Sequence, residues 1–366
     1  MEADTSGRSE RWPMFTRKPW WSALAAVAVI GLVPAITHAH KQVELSGYPN
    51  DMGRGPVPAV NTADVAAQVD QGLVLVNTDM SYQGAVGAGT GIVVSPDGVV
   101  LTNNHVVEGA TQISATSVAD GDAYPATVIG YDRKHDIAVL QLQGAGGLPT
   151  APLDTSSQVA IGDPVTAIGN ARGQGLRRSQ GAVTALNQTI TAADDLASPE
   201  QLNGLIQVSA NVIPGDSGGP LVSSDGQVIG IDTAASGNYR LSERGDSEGF
   251  AIPIGTAMSI AAQIRSGASS GSVHVGNTAM LGIGVKSLDQ GGVAVAQVLR
   301  GSPADHAGIA PGDVITGFAG NTVTSDTALT DLLDQQYPGN TVPVTWLDRS
   351  GQQHSGNVAL AAGPVG

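Results

Sequence analysis

A serine set among glycines is the residue with the clearest chemical potential in this sequence. Ser217 lies in Gly-Asp-Ser-Gly-Gly-Pro, residues 215–220. A serine hydroxyl attacks a carbonyl carbon only if a base takes its proton and donors stabilise the oxyanion that forms. Glycines permit backbone angles that side chains exclude, so the amides of Gly215 and Ser217 can point at one such oxyanion. The segment predicts nucleophilic catalysis if a base and an orienting acid exist elsewhere; otherwise it is a surface turn.

The sequence offers both a base and an acid for this serine. Within the β-rich residues 72–253 the histidines are His105 and His135. His105 follows an apolar segment that ends in small polar residues, whereas His135 lies in a charged turn typical of exposed sequence. We therefore predict that His105 is the general base. Asp136 precedes the strand-like residues 137–142, where a partly buried carboxylate can orient an imidazole; taken alone, it is equally a turn residue.

The order His, Asp, Ser along a strand-rich sequence resembles that of the chymotrypsin-fold serine peptidases. The segments T-N-N-H-V-V, H-D-I-A-V-L and P-G-D-S-G-G-P-L together resemble the HtrA/DegP family, and within it the exported actinobacterial members. The resemblance covers residues 76–360. It implies a serine endopeptidase that cleaves unfolded or damaged proteins through a His105–Asp136–Ser217 triad and an acyl-enzyme. Neither a cofactor nor a metal ion is expected.

Asp216 departs from this resemblance. Many members of the family carry Asn before the nucleophilic serine, whereas the digestive proteases carry Asp, as this chain does. In the digestive proteases the equivalent acid pairs with an N-terminus freed by cleavage. No I-V-G-G-like start occurs near residues 72–75. The partner of Asp216 therefore stays open, and solvation is one alternative.

Composition limits the class of protein. The 366 residues include 49 glycines and few aromatic residues (4%), which favours short strands and tight turns in two or three domains. The chain has no cysteine, which excludes a thiol nucleophile and a Cys-ligated zinc site. Its net charge of −15 leaves no basic surface for nucleic acid. We expect polypeptides as substrates and no nucleic acid as a partner. Assembly into a homo-oligomer stays open.

An apolar segment near the start predicts export. Arg17 and Lys18 precede the apolar residues 20–35, and small residues follow up to Ala39. This length lies between that of a signal peptide, with about 7–15 apolar residues, and that of a spanning helix, with about 20. Both alternatives, cleavage after Ala39 and retention as a single membrane anchor, place the rest of the chain outside the cytoplasm, secreted or in the cell envelope.

The pattern changes to short apolar segments separated by turns from about residue 71, which predicts a mainly β protein. Six segments between residues 73 and 142 and six between 164 and 252 are predicted strands, and the resemblance implies that they form a chymotrypsin-like double β-barrel. The first barrel supplies the base and the acid and the second supplies the nucleophile, so the active site forms between them. By resemblance, two long loops, residues 187–203 and 234–248, line the substrate pocket.

The C-terminal part resembles a protease-associated PDZ domain (α+β), most clearly in G-S-P-A-D-H-A-G-I-A-P-G-D-V-I. The amides around Leu281, Gly282 and Ile283 are predicted to bind the C-terminal carboxylate of a peptide that adds as a strand. A helix over residues 325–336 walls this groove. The predicted domain order is signal peptide or anchor 1–39, tether 40–70, protease 71–264, linker 265–274 and PDZ domain 275–362.

The resemblance also indicates a specificity pocket, with Asn211 at its floor, six residues before the nucleophile. An uncharged floor and apolar walls predict broad cleavage after Val, Ala, Ile or Leu. Asp232 is the nearby carboxylate; if strand alternation pointed it into the pocket, Lys or Arg would be preferred. The predicted pocket residues are Asn211, Val212, Ile213, Ile231 and Thr233.

Two other classes of function compete with the protease. A chaperone-like or scaffold protein built on a degenerate protease fold loses members of the triad, whereas this chain keeps all three. An esterase of the α/β-hydrolase fold places Ser before His and alternates strands with helices. This sequence has neither feature.

Overall fold

The computed structural model describes residues 68–156, 158–192, 200–233, 248–288 and 291–366. The predicted signal or anchor segment and nearly all of the predicted tether lie outside these residues, as do residues 193–199 and 234–247 of the two long loops. Within the described ranges, no helix is long and apolar enough to cross a membrane.

The first barrel consists of six antiparallel strands in the order β5-β4-β1-β2-β3-β6, closed by pairing of β5 with β6. Neighbouring residues of its strands face opposite ways, so Val74 packs inside the barrel while Leu73 joins an apolar cluster shared with the second barrel. One helical turn, α1 (Asn104–Val107), follows β3. The strands are β1 (Leu73–Met80), β2 (Ala85–Ser95), β3 (Val99–Thr102), β4 (Gln112–Ser117), β5 (Ala123–Asp132) and β6 (Ile137–Leu142).

The second barrel is closed as well, in the order β10-β11-β12-β9-β8-β7. Val165, Leu221 and Ala251 belong to its interior cluster, while Ile168 and Ile231 belong to the cluster shared with the first barrel. A short 3-10 helix (Ala171–Gly173) follows β7. The strands are β7 (Pro164–Asn170), β8 (Leu176–Ala192), β9 (Glu200–Val208), β10 (Pro220–Ser223), β11 (Val228–Thr233) and β12 (Gly249–Pro253).

A helix and a returning strand then lead the chain back to the first barrel. Helix α2 (Ile254–Arg265) buries Ala257, Ala261 and Ile264, whose spacing places them on one face. This face joins the apolar cluster shared by the two barrels. Strand β13 (Val273–Val275) pairs antiparallel with β5 of the first barrel.

The last part of the described chain has its own apolar core, which includes Phe318 and Trp346. Strand β15 is at one edge of its main sheet, in the order β15-β16-β17-β19-β20. The Ser325 hydroxyl caps helix α4 by accepting from the Ala328 amide at 3.1 Å. The elements are β14 (Ala279–Met280), β15 (Ile283–Ser287), β16 (Val293–Val298), α3 (Pro303–His306), β17 (Val314–Phe318), β18 (Asn321–Thr322), α4 (Asp326–Leu333), β19 (Thr341–Leu347), β20 (Gln353–Ala359) and β21 (Ala361–Ala362). The mainly β architecture predicted from the sequence is confirmed.

A buried arginine ties this C-terminal part to the first barrel. Arg133, in the turn between β5 and β6, donates to Glu108 at 2.6 Å, directly after α1, and to Asp334 at 3.2 Å, directly after α4. Burial alone lowers the pKa of Arg133, but Glu108 and Asp334 outweigh burial and raise it. The Tyr131 hydroxyl also donates to Asp334, at 2.7 Å. The guanidinium therefore stays charged between two carboxylates.

Candidate active site

His105 lies in α1, and its imidazole faces Asp136, which lies 31 positions later, directly before β6. Its Nδ1 lies 3.0 Å from Oδ1 and 2.9 Å from Oδ2 of Asp136. The backbone amide of His105 also donates to Oδ1, at 3.0 Å. Because a carboxylate only accepts, Nδ1 carries the proton and Nε2 is left as the basic nitrogen. About a third (34%) of the imidazole side chain is exposed, so a substrate can reach it.

Asp136 has a left-handed backbone conformation, with a φ of 53°. This conformation costs a residue with a side chain about 1–3 kcal/mol, so neighbouring groups must hold it. The Asn103 side chain donates to the Asp136 carbonyl at 2.9 Å, and the Asp136 amide donates to the Arg133 carbonyl at 3.1 Å. The buried carboxylate also accepts from the Thr233 hydroxyl at 3.0 Å. Thr233 ends β11, so the second barrel helps to orient the acid.

Gly215 determines the backbone conformation of the loop before Ser217. Its φ is 98°, and a Cβ there would lie 2.2 Å from the Asn170 carbonyl oxygen. The Pro214 carbonyl accepts from the Arg172 amide at 2.9 Å, and the Asp216 carbonyl accepts from the Gly219 amide at 2.9 Å. In a trans peptide the N–H points opposite to the C=O. The amides of Gly215 and Ser217 therefore point away from these internal donors, as an oxyanion hole requires.

Thr90 of β2 joins this loop to the first barrel. Its amide donates to the Ser217 carbonyl at 2.9 Å, and its hydroxyl donates to the Gly215 carbonyl at 2.9 Å. Next to it, a Cβ on Gly89 would lie 2.6 Å from Val106 and 3.2 Å from the Ser217 carbonyl oxygen. Gly89 therefore permits close approach between Ser217 and the helix of His105. Sequence reasoning missed Thr90, because it lies in an ordinary strand and carries no motif.

The partner of Asp216, left open by the sequence, is Arg177 of β8. Arg177 Nη2 lies 3.2 Å from Asp216 Oδ2, which also accepts from the Ile213 amide at 3.0 Å. Asp232 is fully buried near this pair, and its carboxyl oxygens make no hydrogen bond of ordinary geometry within the described residues. Burial raises the pKa of Asp232 well above its usual value, and Asp216 raises it further.

The residues predicted to form the specificity pocket occupy different environments. Asn211 is exposed, and Val212 and Ile213 are partly buried in the loop before the nucleophile. Ile231 is fully buried, and its side chain joins the core shared by the barrels. Thr233 directs its hydroxyl to Asp136 rather than to open space. Among these five, the side chains of the loop at 211–213 are the ones that the structure leaves accessible.

The three residues predicted to bind a peptide carboxylate line one cavity of about 430 Å³. Gly282 has a φ of 83°, and its carbonyl accepts from the Leu299 amide at 2.9 Å. Leu281 is buried, and Ile283 begins the edge strand β15. Leu329 and Leu333 of α4 line the same cavity. Among the described residues, no group of His, Asp or Glu side chains is arranged to hold a metal ion.

Two family models match the chain. The model of a trypsin-like peptidase domain matches residues 89–231, and that of a PDZ domain matches residues 279–360. The chain is therefore a trypsin-like serine peptidase that carries a PDZ domain.

Similar proteins identify the family. Serine protease PepD of Mycobacterium tuberculosis is 32% identical over 334 residues, which are 86% of this chain and 70% of that protein. A probable periplasmic serine endoprotease DegP-like of Halomonas elongata is 35% identical over 75% of this chain, which spans 56% of that protein. The solved structure of the HtrA-type protease AlgW with a tripeptide is 29% identical and gives a TM-score of 0.48. The match covers 83% of this chain and 98% of the AlgW chain. On the sequence relatives, the chain belongs to the HtrA family of serine proteases.

Proposed function

We propose that this chain is an exported serine endopeptidase in which Ser217 is the nucleophile, His105 the general base and Asp136 the orienting acid. The observation that carries the proposal is the His105–Asp136 contact of 2.9 Å, completed by the Thr233 hydroxyl of the second barrel. A triad that needs both barrels places its cleavage site between them. The amides of Gly215 and Ser217 form the oxyanion hole.

The reaction runs in two halves. His105 Nε2 takes the proton from Ser217 Oγ as the oxygen bonds to the peptide carbonyl carbon. The C–N bond then breaks, and the leaving amine receives the proton from His105, which leaves an acyl-enzyme. Water attacks the ester with His105 again as the base, and the carboxylic acid leaves as the proton returns to Ser217. Asp136 holds the imidazole in the required tautomer and stabilises its charged form.

Replacing the nucleophile tests this assignment. Ser217→Ala deletes one oxygen atom, so the fold should survive while casein hydrolysis falls on the order of 10⁴-fold or more. Ser223→Ala, six residues later in β10, is the matched control and should keep normal activity. A fluorophosphonate probe should label the wild-type protein at Ser217, as peptide mapping can determine. Near-normal casein hydrolysis by folded S217A protein would remove the serine-protease assignment.

The proposed substrates are unfolded polypeptides with medium aliphatic side chains before the cleaved bond. Asn211 supplies no charge to the pocket, and Asp232 is fully buried. A missing methylene changes such rates by only about 1–3 kcal/mol, so the preference is broad. Digestion of unfolded casein, with cut sites mapped by mass spectrometry, should give cuts mainly after Val, Ala, Ile and Leu. A dominant Lys or Arg preference would contradict this specificity.

The proposed PDZ domain, residues 275–362, binds peptide C-termini between β15 and α4. Support comes from the edge of β15 that pairs with no other described strand and from the cavity that Leu281, Gly282 and Ile283 share with α4. An added strand gains main-chain hydrogen bonds, and a free carboxylate gains amide donors. A fluorescent peptide with a free C-terminus should bind more tightly than the same peptide with a C-terminal amide. Equal affinity of the two peptides would remove the carboxylate site.

The proposed location is outside the cytoplasm, with the protease, residues 71–264, tethered or released by the N-terminal segment. The apolar residues 20–35 and the relatives named periplasmic support this location. Cell fractionation followed by N-terminal sequencing of the protein distinguishes cleavage after Ala39 from retention as an anchor. Recovery of the full-length protein in the cytoplasm would contradict export.

A further inference from the structure

One guanidinium nitrogen closes the loop that leads into the nucleophile. Arg177 Nη2 donates to the Asn211 carbonyl and to Asp216 Oδ2. These two acceptors are the first residue of the loop and the residue directly before Ser217. Within the loop, the Ile213 amide donates to the same carboxylate oxygen at 3.0 Å. Arg177 thus fixes both ends of the segment that carries Val212 and the oxyanion-hole residue Gly215.

The charges around this loop make Arg177 hard to replace. The Asp216 side chain is 3% exposed, whereas that of Arg177 is 35% exposed. A second carboxyl group, Asp232, is buried beside Asp216, and one of the Asp216 oxygens makes no hydrogen bond within the described residues. One guanidinium beside two carboxyl groups balances one negative charge. Without it, a buried carboxylate loses its counter-ion and has to move or take up a proton.

Arg177 reaches Asp216 from a different part of the chain. It lies near the start of β8, 39 positions before Asp216, and therefore acts from the body of the second barrel. A loop that is held from a strand keeps its peptide orientations when no substrate is bound. The pairing is made within a single chain, by Arg177 of β8.

We propose that Arg177 is a positioning residue that holds the 211–217 loop in its catalytic shape by clamping the buried Asp216 carboxylate, whose unpaired charge would otherwise displace the loop; its contact with the Asn211 carbonyl makes a smaller contribution. The inference rests on the proposed function, since it assigns Ser217 and Gly215 their catalytic roles. The two acceptors of Arg177, the Asn211 carbonyl and the Asp216 carboxylate, are not reacting atoms, so Arg177 acts through Asp216 and through the loop. The clamp keeps the amides of Gly215 and Ser217 in the orientation that an oxyanion hole requires.

The test compares Arg177→Met, Asp216→Asn and the double variant with the wild-type protein on a peptide substrate. R177M should lose roughly 10- to 100-fold in kcat/KM, mostly in kcat, because a misplaced oxyanion donor costs up to about 10²–10³-fold. D216N should stay within about five-fold of wild type, since the amide oxygen still accepts from Ile213, no buried carboxylate is left, and Arg177 is partly exposed and still contacts the Asn211 carbonyl. The double variant should recover to the level of D216N, and Arg177→Lys should be intermediate.

Arg178→Met is the matched control. Arg178 is the next residue of the same strand and pairs with Asp70 instead. R178M should therefore stay within about two-fold of wild type. An R177M protein as active as R178M would overturn the proposal. So would an R177M/D216N double variant that stays as impaired as R177M, because the loss would then not depend on the Asp216 charge.

Hydrogen exchange tests the clamp without depending on the proteolytic activity of the enzyme. Amides of residues 211–217 should exchange faster in R177M than in R178M, and the double variant should restore their protection. This readout separates the two proposals. A fluorophosphonate label that maps to a residue other than Ser217 would contradict the proposed function. Unchanged hydrogen exchange in R177M would contradict the clamp alone. If R177M does not fold, the double variant and R177K carry the comparison.

Discussion

Two His–Asp pairs meet on the turn between β5 and β6, and only one of them belongs to the proposed triad. Asp132 Oδ2 lies 2.8 Å from Nδ1 of His135, three residues later. Asp136 Oδ2 lies 2.9 Å from Nδ1 of His105, 31 positions earlier. Both carboxylates are buried, and both imidazoles are partly exposed. The contact distance and the burial of the acid therefore do not distinguish a catalytic pair from a structural one.

The partners beyond each pair do distinguish them. Asp132 also accepts from the Ser272 hydroxyl at 3.2 Å, which connects it to the segment before β13. Asp136 accepts from the Thr233 hydroxyl at 3.0 Å, which connects it to the second barrel and to the region of Ser217. A His–Asp pair is catalytic only if the other nitrogen of its imidazole can serve a nucleophile, a role that we propose for His105 and Ser217. The local pair at 132–135 stabilises a turn, whereas the long-range pair, formed within the first barrel, is connected to the second barrel through Thr233.

Breaking the long-range pair should give the largest effect. Asp136→Asn keeps the shape of the side chain but allows the imidazole to take the wrong tautomer. We expect kcat to fall by about 10⁴-fold with little change in KM, as for the same change in a triad of this type. Steady-state kinetics on a peptide substrate measures it, with circular dichroism to show that the fold is kept. Less than a ten-fold loss would place the orienting acid elsewhere.

Removing the hydroxyl from the second barrel should give a smaller effect. Thr233→Val has the same shape but leaves Asp136 with one donor fewer. A hydrogen bond to a charged group contributes about 1.5–3 kcal/mol, so kcat/KM should fall roughly 10-fold or somewhat more. Thr233→Ser retains a hydroxyl and should recover most of the activity. If T233S were as impaired as T233V, packing rather than the hydrogen bond would explain the loss.

Breaking the local pair should affect stability and spare catalysis. Asp132→Asn removes a buried acceptor that serves His135 and Ser272. We expect kcat/KM within about two-fold of wild type and a loss of about 1–3 kcal/mol in the free energy of unfolding. Urea denaturation measures this loss. A kcat of D132N as low as that of D136N would mean that the two pairs are not functionally distinct.

An aspartate with no histidine partner sharpens the comparison further. Burial and then Asp216 raise the pKa of Asp232 above its usual 3.8. The folded protein keeps this proton while the unfolded chain loses it. The corresponding stability is thus fully present below pH 3.8 and is lost as the pH rises towards the folded pKa. Asp232→Asn does not titrate, so its Tm relative to wild type should be higher at pH 8 than at pH 5. A Tm difference that is the same at both pH values would contradict the raised pKa.

The strands and the triad pattern could be predicted from the sequence because both are written in local residue types. Alternating apolar segments and turn residues predicted the strands, the resemblance implied two six-stranded barrels, and the structure closes both. The prediction of His105 over His135 used the apolar segment before His105. The roles of Thr90 and Arg177 could not be predicted, because a threonine in a strand and an arginine in a strand have no distinguishing neighbours. Their meaning comes from residues more than 30 positions away.

The sequence by itself determined the fold class, the family and the chemical type of each proposed catalytic group. Short-range patterns of apolar residues, glycines and turns suffice for the fold class, since they act through local backbone preference and burial, and the resemblance of the motifs around His105, Asp136 and Ser217 supplied the family. Only the tertiary structure decided which charged group pairs with Asp216 and which hydroxyl donates a hydrogen bond to Asp136. Arg177 and Thr233 meet those carboxylates because barrel closure brings distant strands together. Long-range electrostatic partners depend on strand register and barrel packing, and no local pattern of residues encodes them.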